Sequence, residues 1–178
     1  LPVDGDALAA LTCMVGGRSV WLAASIHPGE DRIAAEVHRS LKAAHPGLLT
    51  VIVPRHPPKA ADMKAVIVSA GLHAATRSRG ETITPETDVY IADTMGELGL
   101  FYRACPLVFV GKSLAVGGGQ NPAEPALMGC ALVLGPDMSN FRDMTAELLA
   151  AGAATQASSP AALTAALDAL LKDATLGR

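Results

Sequence analysis

Short apolar runs separated by helical patterns predict an α/β domain: a parallel sheet with helices on both faces. Three observations carry this. Strand-like and helix-like segments alternate at nearly every step. The strand-like runs are continuously apolar rather than alternating, as strands buried on both faces are. The loops that hold polar motifs all leave the carboxyl ends of those runs, where parallel sheets bind ligands.

In chain order, Leu8, Leu11 and Met14 give a helical spacing over 5–16 that Gly16-Gly17 ends. Val20-Trp21-Leu22-Ala23-Ala24 is a buried strand. Pro28, Glu30 and Asp31 open a helix running to about His45, with Ile33, Val37 and Leu41 on its inner face. Leu48 to Val53 is the next strand, closed by Pro54-Arg55-His56-Pro57-Pro58, and a helix from about Lys59 to Ala70 ends at Gly71. Residues 73–77 read as a short strand and Arg77 to Thr87 as a polar loop. The strand 89–92 precedes a helix from about Met95 to Cys105, and Leu107-Val108-Phe109-Val110 is a further strand. A helix at 122–129 leads to Ala131-Leu132-Val133-Leu134, and Gly135-Pro136 turns the chain into a helix around 139–151. Ala153 to Thr155 reads as a last edge strand and Ala161 to Leu171 as an Ala/Leu-rich helix.

Composition narrows the function. The chain has 178 residues, half of them hydrophobic, enough for one well-buried domain spanning 1–178. Aromatics are only 3%, so the core is built from Ala, Val, Leu and Ile. A formal charge of −3 and the lack of a Lys/Arg-rich run argue against nucleic-acid binding. No signal peptide and no membrane-spanning apolar stretch is read. Cys13, Cys105 and Cys130 form no CxxC pair and fit reduced thiols. The five histidines match no metal-ligand spacing, so no protein-bound catalytic metal is expected. The chain opens Leu1-Pro2-Val3-Asp4 without an initiator Met and reads as part of something longer.

The stretch Gly111 to Pro125 is the most informative. An apolar strand runs into a glycine-rich loop, and Asn121, Pro122 and Glu124 then occupy N-cap, N1 and N3 of a helix. Strand, bare-backbone loop and helix start together let a phosphate approach main-chain N–H groups. The contiguous glycines fit neither the dinucleotide fingerprint nor a Walker loop. They point to a nucleotide or nucleotide-sugar site of another kind.

The remaining candidates each have two readings. Arg55 and His56, presented between prolines, are either fixed donors for a phosphate or carboxylate or a solvated turn. Asn121 and Glu124 either close a capping box or turn a carboxylate toward the hydroxyls of a ribose. Thr94 and Glu97, behind Asp93, repeat the capping-box spacing. Ser25 is either an anion contact or an N-cap, and Lys112 is a ligand's charge partner or a solvated loop residue beside Ser113. No catalytic triad and no lone general base can be assembled.

Taken together, Trp21 to Glu30, Val53-Pro54-Arg55-His56-Pro57, Asp93 to Tyr102, Phe109-Val110-Gly111-Lys112-Ser113, Gly118 to Pro125 and Gly135-Pro136 with Asn140-Phe141 resemble one family in its own order. It is the transferase of 3-deoxy-D-manno-oct-2-ulosonic acid (Kdo) in lipopolysaccharide synthesis, and the likeness is to its C-terminal half across nearly the whole chain. The resemblance implies the Rossmann-like C-terminal domain of a GT-B glycosyltransferase, binding the donor CMP-Kdo. An N-terminal acceptor domain, absent from this chain, would bind the lipid A precursor, meet the cytoplasmic face of the bacterial inner membrane and supply the catalytic base. The reaction implied is inverting and metal-independent, with no cofactor.

By position, Ser25, Arg55, His56, Gly111, Lys112, Ser113, Asn121 and Glu124 would line the donor cleft, with Met95, Gly96 and Glu97 near the nucleotide. No catalytic residue is expected in this chain, so the isolated domain would be inactive. Its face toward the other half would be apolar and would favour self-association. One phosphate and one sugar carboxylate want a guanidinium, an ammonium and helix N-termini rather than a metal clamp. The chain departs from the family at Ile26 (usually Thr), Lys112 (usually Gly) and Gln120 (usually His). Two other readings stay open: a UDP-sugar transferase or epimerase domain, and a nucleotide-binding module without chemistry.

Overall fold

The apolar runs pair into one seven-stranded sheet in which every neighbouring pair is parallel. The computed structural model describes residues 3–173; Leu1 and Pro2 of the opening segment and residues 174–178 lie outside the described residues. The strands are β1 (Val20–Ile26), β2 (Leu49–Pro54), β3 (Ala74–Thr76), β4 (Val89–Ile91), β5 (Leu107–Val110), β6 (Ala131–Leu134) and β7 (Ala154–Gln156). The helices are α1 (Gly5–Val15), α2 (Glu30–Lys42), α3 (Ala60–Ser69), α4 (Leu98–Ala104), α5 (Ala123–Leu127), α6 (Arg142–Ala150) and α7 (Pro160–Lys172).

Side-chain alternation along the central strand assigns the two layers. Trp21 and Ala23 of β1 pack with α2, α3 and α7, while Leu22 and Ala24 pack with α1, α4 and the α5 side. Both faces are apolar, which is why β1 reads as a continuous run. Trp21, Leu22, Leu49, Ile52 and Val108 are fully buried, and each large apolar side chain removed from water contributes about 1.5–3 kcal/mol.

The helix ends follow local chemistry. Asp4 caps α1 through the N–H groups of Asp6 and Ala7, and Gly16 ends it at φ 60°. Ser159 caps α7 with Pro160 at its first position. α2 stops at Lys42, short of the expected His45, because the chain turns into Pro46, whose ring cannot continue a helix. α4 starts at Leu98 rather than near Met95, since Gly96 adopts φ 77° in a preceding turn. A single 3₁₀ turn, Ser139–Phe141, precedes α6.

The strand order β3-β4-β2-β1-β5-β6-β7 positions the site. From β1 the chain winds outward through β2, then returns to the other side of β1 with β5. The helices after β1 and β5 lie on opposite faces. The carboxyl ends of β1 and β5 therefore flank the topological switch point, the crevice in which such sheets bind ligands.

Candidate functional site

Two loops meet at this crevice. The first leaves β1 through Ser25, where the pairing with β2 shifts register and the backbone takes φ 55°. The second leaves β5 through Gly111 and Lys112, with Lys112 at φ 57°. A β-carbon on Gly111 would lie 2.5 Å from the Ser25 carbonyl oxygen and 2.7 Å from that of Ala24. Only glycine lets the two strand ends approach this closely. The Gly111 N–H donates to the Ala24 carbonyl at 2.8 Å, locking the approach.

The glycine-rich loop does not form the open phosphate cradle expected of it. The N–H groups of Lys112, Ser113 and Leu114 donate to the Glu30 carboxylate at 2.9, 3.1 and 3.3 Å. The glycines further on approach the loop after β6 closely. A β-carbon on Gly117 would meet Asp137, one on Gly118 would meet Asn140, and one on Gly119 would meet Met138. Asn140 also donates its N–H to the Gly118 carbonyl at 2.8 Å. These glycines are needed for close approach of the loop after β6.

Cations gather above the crevice. His27 sits half-buried, its ring edge-on to His56 with centroids 5.6 Å apart. Gln120 Nε2 lies 3.1 Å from His27 Nε2. Burial pushes the His27 pKa down; Glu30 opposes this, while the charges of His56, Lys112 and Arg55 reinforce it. Arg55, His56 and Lys112 therefore act on one point. Among the described residues, neither Arg55 nor Lys112 forms an ion pair with a carboxylate. Two cations without a carboxylate ion pair among the described residues, beside a histidine, suit an anionic ligand.

Other expected residues are placed differently. Ser113 is fully buried; its hydroxyl donates to the Val110 carbonyl at 2.5 Å and accepts the Gly135 N–H at 2.9 Å. It ties β5 to the loop after β6, with its side chain enclosed between them. Ser25 is not the N-cap of α2, which is Gly29. Asn121 accepts the Ala123 N–H at 2.9 Å in a local turn. Glu124 does not close a capping box, since α5 has no side-chain cap among the described residues. Its half-buried carboxylate stands on the first turn of α5.

Glu97 stands at the N-cap position of α4, but its side chain makes no cap hydrogen bond. Arg77 Nε and Nη2 donate to its two oxygens at 2.7 and 2.8 Å, and the Thr94 hydroxyl donates to it as well. That contact with Arg77 holds the Glu97 carboxyl below its usual range against the opposing effect of burial. Asp93 instead accepts the N–H and hydroxyl of Ser78. Met95 is 78% exposed, and Gly96 shapes the turn beside it. Arg77, Tyr90, Thr94, Met95 and Glu97 line a cleft of about 530 Å³ beyond β3 and β4. A larger cavity of about 630 Å³ lies at the opposite, amino edge among Gly16, Arg18 and Leu170, and holds none of the expected residues.

His27, Glu30 and Gln120 were not among the expected site residues. Glu30 reads in sequence as an acidic helix opener. Its part in the second loop depends on the pairing of β1 with β5, which spacing alone does not reveal.

Comparison with known proteins decides the family. The chain is 35% identical over 158 residues to the probable mitochondrial 3-deoxy-D-manno-octulosonic acid transferase of Arabidopsis thaliana, covering 86% of this chain and 35% of that protein. It is 37% identical over 155 residues to the 3-deoxy-D-manno-octulosonic acid transferase of Haemophilus influenzae, covering 86% and 36%. The corresponding Bordetella pertussis enzyme is 39% identical over 145 residues, covering 79% and 34%. The chain belongs to the Kdo transferase family. It spans about a third of the length of these relatives. No family model matches it.

Among solved structures, the chain superposes on the C-terminal CMP-Kdo binding domain of WaaA from Acinetobacter baumannii. The TM-score is 0.80 at 28% identity, over 94% of this chain and 97% of that one. An O-GlcNAc transferase from Thermobaculum terrenum shares the fold alone, with TM-score 0.57 at 14% identity, over 92% of this chain and 30% of that one. Among the described residues no helix is long and apolar enough to cross a membrane, and no three metal-ligating side chains cluster.

Proposed function

We propose that this chain forms the donor-binding domain of a GT-B Kdo transferase and holds CMP-Kdo at the crevice beyond β1 and β5. The observation that carries this is the match to the CMP-Kdo binding domain of WaaA along the length of both chains. The crevice chemistry supports it. CMP-Kdo brings one phosphate and one carboxylate, and Arg55 and Lys112 offer two cations free of carboxylate partners among the described residues. Arg55 suits bidentate contact with either group, and Lys112 acts as a point charge. As CMP departs, charge grows on its phosphate, and fixed cations stabilise that charge without a metal.

In this reading Glu124, not occupied as a cap, faces the ribose hydroxyls, with Asn121 beside it. Met95, Gly96 and the Arg77-bound Glu97 stand near the base. Ser25 and His56 flank the anionic groups, and Gly111 and Ser113 contribute backbone shape. The acceptor, a lipid A precursor, the catalytic base and the contact with the cytoplasmic face of the inner membrane belong to the rest of the enzyme. Exposed Met95 and Val116 give the crevice edge an apolar component suited to that other part, or to self-association of the isolated domain.

Titrating CMP into the ¹⁵N-labelled chain tests the placement. Amide shifts should concentrate at 25–27, 55–56, 93–97 and 111–124. Shifts confined to the amino edge, around Gly16, Arg18 and Leu170, would overturn it.

A further inference from the structure

Glu30 is 2% exposed, yet it is a carboxylate at the mouth of the crevice. One oxygen accepts the N–H of His27 at 3.0 Å and of Lys112 at 2.9 Å. The other accepts the N–H of Ser113 at 3.1 Å and of Leu114 at 3.3 Å. This one side chain therefore joins the loop after β1 to the loop after β5, across the switch point of the sheet. Successive N–H groups around a residue in the left-handed region form a nest that attracts an anion. Here the nest is filled from within.

The left-handed backbone of Lys112 costs about 1–2 kcal/mol for a residue with a β-carbon and persists only where its surroundings impose it. Glu30 supplies that constraint by accepting the N–H of Lys112 itself and of the two residues after it. We propose that Glu30 is a positioning residue of the donor site: its carboxylate fills the N–H nest after β5 and so fixes the backbones of His27 and Lys112 against one another. The inference rests on the donor-site reading. It has a direct consequence for recognition. With the nest occupied, the ligand's anionic groups are met by side chains, Arg55 and Lys112 above all, rather than by main-chain N–H groups.

Glu30→Gln and Glu30→Ala test this, with folding checked by far-UV circular dichroism and acetate as the probe of the emptied nest. Glutamine keeps the shape but turns an NH₂ toward two N–H donors. CMP affinity should fall about tenfold while the fold is retained. In Glu30→Ala the amide signals of 112–114 should move, and added acetate should return them toward native positions and restore CMP binding.

A folded Glu30→Gln chain that binds CMP with native affinity would overturn the proposal, whether or not the loop amides shift. If Glu30→Ala does not fold, Glu30→Gln alone decides. Should the unaltered chain fail to bind CMP, the donor reading fails separately. The loop amides then decide the positioning claim, which is lost if 112–114 are unmoved in both variants.

Discussion

Arg77 grips Glu97 through two parallel hydrogen bonds, Nε to one carboxylate oxygen at 2.7 Å and Nη2 to the other at 2.8 Å. The guanidinium also lies over the Phe101 ring, 5.5 Å from its centroid. The pair ties the end of β3 to the turn before α4, so it holds the 93–97 segment over the cleft beyond β3 and β4.

Breaking this pair should loosen that segment. Both side chains are partly solvated, so Arg77→Ala is expected to cost about 1–2 kcal/mol by chemical denaturation. Glu97 titrates below its usual range because of Arg77. Its contribution is therefore complete above an ordinary carboxyl pKa of about 4.3 and is lost as pH falls through the lower folded value. Arg77→Ala should flatten that acid limb; an unchanged limb would contradict the assignment.

A second pH dependence lies at the amino ends of β2 and β4. His38 is fully buried, with Nδ1 2.8 Å from the Thr50 hydroxyl and Nε2 3.3 Å from Asp88. Burial lowers its pKa, Asp88 works the other way, and Lys42 and Arg18 add to the lowering. A histidine with a lowered folded pKa resists protonation in the native state. Stability is then full above about pH 6.5 and declines as pH falls below it. Denaturation midpoints should drop between pH 7 and 5, and less so in His38→Gln. His27, shifted in the same direction, retains part of the slope.

Gly111 and Gly129 separate two reasons for glycine. A β-carbon at Gly111 meets the backbone of Ser25, Ala24 and Ile26 at 2.5–2.8 Å, and backbone cannot move aside cheaply. Gly111→Ala should cost about 3 kcal/mol or more. Gly129 has open space around it but φ 77°, so Gly129→Ala should cost only about 1–2 kcal/mol. Equal losses in thermal melts would show that the approach of β1 to β5 is not the constraint.

Thiol labelling gives an independent view of the packing. Cys105 and Cys130 are buried, with pKa values pushed up to about 12 and about 11, while Cys13 is exposed. A thiol reagent near pH 8 should modify Cys13 quickly and the other two only on unfolding. Rapid labelling of all three would contradict the described core.

The order of strands and helices was legible because the strands are buried on both faces and their apolar runs are unbroken. Boundaries slipped where one backbone angle decided them, as at Gly96 before α4. At the site, Arg55, His56 and Lys112 were legible as polar residues at strand ends, and the structure brings their charges onto His27. The glycine-rich loop differs in detail: the N–H groups of Lys112, Ser113 and Leu114 serve Glu30, and the glycines accommodate Asp137, Met138 and Asn140. Both contacts join segments far apart in the chain, and only the strand order sets them side by side.

Calorimetric titration of this chain with CMP, with UDP as comparison and no added metal, tests the donor-site claim most directly. The account predicts binding that prefers CMP and weakens at least tenfold in Arg55→Ala and in Glu124→Ala. Binding that prefers UDP, or CMP binding indifferent to both substitutions, would contradict it.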